Sequence, residues 1–116
     1  MGKLGAGLIL VGMFLGGCQT ARPLYYWGHY EPEAYLDYAK PGKLPVEQEI
    51  LDLQQDVQKA AALNLQVHPG LHAQLGYLYS RQGKEDLARK EFETEKALFP
   101  ESATFMDRLV NQSKPK

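Results

Sequence analysis

Three histidines, one cysteine and fourteen acids are the residues of this 116-residue chain whose types could do chemistry, and their spacing decides how much. His68 and His72 stand four apart, the interval at which two imidazoles on one helix face share a metal ion. The intervening "HPGLH" interrupts the helix, because Pro69 has no amide hydrogen and Gly70 favours a turn, and no third ligand is near in sequence. They read as a loop residue, His68, and a packed first-turn residue, His72. His29 has no serine or cysteine nucleophile beside it in sequence. The acids fall on what read as solvated helix faces such as "EFETEK", where pairing with a cation four residues away explains them. Neither a glycine-rich phosphate loop nor a nucleophile elbow is present in the sequence. The sequence thus predicts no enzyme, no metal, no cofactor and no small-molecule substrate.

Cys18 is different. A lone cysteine cannot close an intrachain disulfide and has no second sulfur for a zinc site. It follows one cation, Lys3, and an uncharged run from Leu4 to Gly17 that is too short to span a bilayer, which takes roughly 20 apolar residues. That is the layout of a secretory signal. The four residues "LGGC" resemble the lipobox of bacterial lipoproteins, with Leu15 at the third position before the cysteine. The resemblance implies cleavage after residue 17, a diacylglycerol on the Cys18 thiol and an acylated amine, palmitate being a usual chain. Two or three acyl chains hold firmly, since each buried methylene contributes about 0.8 kcal/mol. Gln19 follows, where Asp is the inner-membrane retention signal in enteric lipoproteins, so the implied address is the periplasmic leaflet of the outer membrane.

Loss of residues 1–17 removes Lys3 and no acid, and the remaining charge is mixed and near neutral, which gives no case for nucleic acid as a partner. Residues 18–24 read as the lipidated tether, 25–111 as one small domain and 112–116 as a solvated tail. Helices must position everything else. One opens at Pro32 and ends before "KPGKLP". A long one from Val46 to Leu65 carries Val46, Ile50, Leu53, Val57 and Ala60 as a stripe. A third runs from Pro69 to Gln82 with Leu71, Leu75 and Leu78 on one face. After Gly83 a fourth turns Leu87, Ala88, Phe92 and Leu98 inward and pairs Glu85 with Arg89 and Asp86 with Lys90. A short fifth spans 102–111, with Phe105, Met106 and Leu109 as its apolar side. No strand is predicted, and the class is all-α.

Leu75, Gly76, Tyr79, Ala88, Phe92 and Pro100 fall at the intervals of the tetratricopeptide repeat, which residues 69–102 resemble. The resemblance implies a short array of antiparallel helical hairpins in which Gly76 and Ala88 permit close approach and Tyr79 and Phe92 fill the angle. His72 and Glu95 depart from the pattern, so looser packing is expected beside them. One repeat cannot bury its own face. The two preceding helices are expected to act as a degenerate first repeat, with Tyr35 and Tyr38 packed into the core. The repeat's concave face would be Ala73, Tyr77, Ser80 and Arg81. Ala73 and Tyr77 replace the residues of the family's carboxylate clamp, so a partner held by its free C-terminus is not expected.

Tyr25, Tyr26, Trp27 and Tyr30 precede the first helix and form a possible second interface. The stretch "LYYWGHYEPEAYLDY" resembles the start of a bacterial lipoprotein family known as a domain of unknown function, whose mature chains open on Trp-Gly-x-Tyr. Members are commonly encoded beside a lipoprotein of the curli-secretion-channel type, which implies an envelope partner. Together these readings predict an outer-membrane lipoprotein that acts as a periplasmic adaptor for another envelope protein. The alternatives are an obligate subunit of an envelope lipoprotein or secretion complex, and an enzyme of peptidoglycan or envelope protein that would use His29, His72 or an acid.

Overall fold

A computed structural model describes residues 2, 17 and 21–113. Cys18 and the run from Leu4 to Gly16 lie outside the described residues, as do residues 114–116. The elements in chain order are β1 (Tyr25–Tyr26), α1 (Tyr30–Ala39), α2 (Val46–Ala62), β2 (Gln66–Val67), α3 (Leu71–Arg81), α4 (Glu85–Leu98), a 3-10 turn at Pro100–Ser102 and α5 (Ala103–Gln112). The chain is mostly helical, in keeping with the all-α expectation. No described helix is long and apolar enough to cross a membrane.

Local chemistry sets the boundaries. Pro32 falls within the first turn of α1, where its missing amide hydrogen is one of the unpaired donors in any case, so the helix begins two residues before it at Tyr30. Helix α2 ends at Ala62, not Leu65, because Asn64 adopts φ 53. The Asn64 amide then donates to the Ala61 carbonyl and the Leu65 amide to Ala60, the paired bonds of a left-handed helix stop. Helix α3 ends by the same device. Gly83 takes φ 72, its amide donates to Ser80 and the Lys84 amide donates to Tyr79.

Helices α3, α4 and α5 run antiparallel in succession. Gly70 meets Glu95 and Ser80 meets Glu85 at opposite ends of the α3–α4 hairpin. Lys96 reaches Asp107 and Arg89 reaches Ser113 across α4 and α5. Leu53, Leu71, Leu75 and Leu78 are buried at the centre, each contributing about 1.5–3 kcal/mol. A Cβ on Gly76 would overlap the Phe92 ring, so the two helices touch where the sequence has no side chain.

Several expectations are corrected. Tyr35 and Tyr38 are 66% and 90% exposed, because the face of α1 that turns inward carries Glu33 instead. Leu87 is exposed, one position off the buried line of Ala88, Phe92 and Glu95. Leu98 is also exposed, since the helix stops there and Phe99 is buried in its place. Phe105 is exposed while Met106 carries the burial of α5. Glu85 accepts from the Ser80 hydroxyl, and Arg89 pairs with Asp86 at 3.5 Å, not with Glu85. Glu95 does not loosen its surroundings: it is buried and accepts the Gly70 amide at 2.6 Å at the start of α3, where the helix dipole favours an anion. Helix α5 reaches Gln112, and Ser113 is buried against its end with its hydroxyl donating to the Leu109 carbonyl.

Among the described residues, the only strands form a two-stranded ribbon, where none was expected. Tyr25 pairs with Gln66 and Tyr26 with Val67, in parallel.

Candidate functional site

A groove of about 570 Å³ opens between α3 and α5 over the side of α4. Ala73, Tyr77, Ser80 and Arg81, at helical spacing on α3, form one wall, with Phe105 and Leu109 of α5 opposite and Phe92 between them. Structure thus brings together all four residues that the sequence placed on one face. Tyr77 is 58% exposed and Phe105 59%, a large apolar offering for so small a domain.

Polar groups fix the rims. The Arg81 guanidinium stands 5.9 Å from the Tyr77 ring centroid, a cation–π contact that holds the ring. Ser80 donates to both carboxylate oxygens of Glu85, at 3.1 and 3.3 Å, which turns that acid along the groove. The α5 wall is pinned at its middle and at its C-terminal end. Arg89 donates to the Ser113 carbonyl at 3.2 Å, and Lys96 donates to Asp107 at 2.7 Å. Hydrogen bonds from Lys96 to Asp107 and Glu93 raise the pKa of its amine. Sequence reasoning placed Phe105 and Leu109 on an apolar side, but had no signal that this side faces Tyr77 rather than the core.

The second predicted cluster is partly a core. Trp27 is stacked on His68 with ring centroids 4.8 Å apart and planes 4° apart, and Tyr30 lies 4.4 Å from the same ring. Tyr25 meets Trp27 and Phe99 edge-on, at 6.3 and 6.2 Å. Tyr26 packs half-buried against the main core. His68, expected in a loop, is fully buried as the centre of this cluster. Its Nδ1 donates to the Pro69 carbonyl at 2.9 Å. His72 is buried and hydrogen-bonded to Glu91 at 2.6 Å.

Below this cluster the chain locks onto α2. Asp56, fully buried, accepts the His29 amide at 2.7 Å and pairs with its Nδ1 at 2.7 Å. The turn that allows it needs Gly28, whose φ is 45 and whose missing Cβ leaves room for the Asp56 carboxylate. Glu33, one turn on, is 4% exposed with neither carboxylate oxygen hydrogen-bonded to a donor. Burial, then contact with the Asp52 carboxyl, and then the charges of Asp52, Glu49 and Asp56 push its pKa up to about 8. Among the described residues no three metal-binding side chains converge. Nothing in the sequence singled out Asp56 or Glu33; their position beside the hydrophobic stripe made them look solvated.

The family model of a domain of unknown function, DUF4810, matches residues 24–109, and the chain belongs to that family. No match to the chain is found among curated proteins or solved structures.

Proposed function

We propose that this DUF4810 protein is a lipid-anchored periplasmic adaptor at the outer membrane, acylated on Cys18, that holds another envelope protein in the α3–α5 groove. The groove is the observation that carries the reading: Ala73, Tyr77, Ser80 and Arg81 converge with Phe105 and Leu109 on one concave apolar surface. Its chemistry suits an amphipathic segment, whose apolar side would cover Tyr77 and Phe105 while an acid meets Arg81. The α3–α4 hairpin is read as tetratricopeptide-like, a reading supported by the Gly76–Phe92 approach. A curli-secretion-channel-type lipoprotein is the partner to test first.

The test is capture from membranes by a tagged chain. Tyr77→Ala combined with Arg81→Ala should lose the partner while helicity and melting temperature hold. Undiminished capture by the folded double variant refutes the groove. A second reading, an obligate subunit of an envelope complex, is favoured by Tyr35 and Tyr38, which stand exposed on the outer face of α1. An obligate subunit should aggregate or be degraded without its mates, whereas an adaptor should stay monomeric.

A further inference from the structure

The edge formed by β1 and the end of α2 leaves apolar side chains bare. Leu24 is 78% exposed, Leu63 53% and Trp27 46%. They share one edge. Arg22 donates from Nη2 to the Leu63 carbonyl at 2.8 Å, Tyr25 is paired with Gln66, and Trp27 covers His68.

Charge separates this edge from the rest of the molecule. Of the fourteen acids in the chain, none falls within residues 19–30 or 57–70, the two segments that build the edge, while Arg22 and Lys59 both do. The near-neutral total hides this asymmetry. The carboxylates that touch these segments, Asp56 on His29 and Glu95 on Gly70, are buried. An exposed indole, two aliphatic side chains and a guanidinium are what a bilayer interface accepts: the indole sits at headgroup level and basic side chains are drawn to lipid phosphate.

We propose that this edge rests on the bilayer, with Leu24, Leu63 and Trp27 entering the headgroup boundary and Arg22 donating to a lipid phosphate. The length of chain outside the fold names the occupant. From Cys18 to Leu24 the chain spans at most about 21 Å, at roughly 3.5 Å per extended residue. The edge is therefore the first part of the domain that the tether reaches, and it cannot stray far from the lipid. This step rests on acylation of Cys18. It also orients the molecule: α3 leads away from the edge, so Arg81 lies about 15 Å further along, at 1.5 Å per residue from Leu71. The Arg81 end of the groove then lies on the side away from the lipid.

Trp27 is the only tryptophan in the chain and reports directly. The acylated full chain is reconstituted in vesicles of phosphatidylethanolamine and phosphatidylglycerol, with or without brominated acyl chains. Brominated lipid should quench Trp27 several-fold more in the parent than in a Leu24→Ser, Leu63→Ser variant whose circular dichroism and acylated mass are unchanged. Trp27 that stays unquenched by brominated lipid yet open to aqueous acrylamide, in a chain of acylated mass, overturns the contact and leaves the anchor standing. A chain without acyl mass overturns the anchor, and the contact with it. An emission shift that requires a second protein assigns the edge to that protein and overturns the lipid assignment.

Discussion

Replacing Glu33 by glutamine should stabilise the protein, by an amount that grows with pH. The folded chain holds this carboxyl at a pKa of about 8 against an ordinary value of 4.5, because it is buried against Asp52, with Glu49 and Asp56 nearby. At pH 7 the unfolded chain has released the proton and the folded chain has kept it. A gap of about 2.5 pH units at 1.36 kcal/mol each makes the cost of folding with Glu33 about 3 kcal/mol at pH 7. The sign follows from proton linkage: between pH 4.5 and 8 the folded state binds the extra proton, so stability falls as pH rises, by up to about 1.4 kcal/mol per unit. Below that window both states are protonated, and above it both are ionised. Glutamine cannot titrate, and its amide can donate to the Asp52 carboxylate. Urea unfolding of a soluble chain beginning at residue 21, followed by circular dichroism from pH 5 to 8, measures the difference. Parent and variant should differ by less than about 1 kcal/mol at pH 5 and by about 3 at pH 7. A gap that does not change with pH, or a variant weaker at every pH, would refute the reasoning.

Gly28→Ala should cost about 2–4 kcal/mol in the same unfolding assay, from a left-handed alanine and the loss of the charged hydrogen bonds at Asp56. A change under about 0.5 kcal/mol, the size of an ordinary surface substitution, would mean that the His29–Asp56 lock does not form. Tyr35→Ala and Tyr38→Ala should each change stability by no more than about 0.5 kcal/mol, against the 2–4 kcal/mol a buried aromatic would lose. Loss on the larger scale would place α1 with its tyrosines inward.

The helices were legible wherever burial repeats along one element. The leucines of α3 and the Ile50, Leu53 and Ala60 line of α2 fall at helical spacing, and each predicts its own inward face. Glycine at 83 marked a stop that the structure realises, but Asn64, which stops α2 by the same bonds, left a weaker mark because asparagine also sits within helices. Contacts between distant segments left no such trace. Two residues of β1 are too few to show an alternating pattern, and their partners lie forty-one positions on. Tyr35 and Tyr38 have the hydrophobicity of core residues and sit outside, since α1 turns its Glu33 face, and not its tyrosine face, toward α2. The four groove residues were legible because one helix carries them all. Their opposite wall comes from α5, and only the fold brings it there.

The ribbon also decides how a pull on the N-terminus is carried. Tension arriving through residues 18–21 meets the Arg22 clamp and the β1–β2 pairing before any helix, and passes from there into the junction between α2 and α3. Helix α1 lies behind that clamp and feels no load while the ribbon holds. With only two residues per strand, the ribbon is the mechanical fuse of the domain. With Cys18 anchored as proposed, it should shear first under membrane drag and lengthen the leash, while the Asp56 lock and the α3–α5 groove keep their shape.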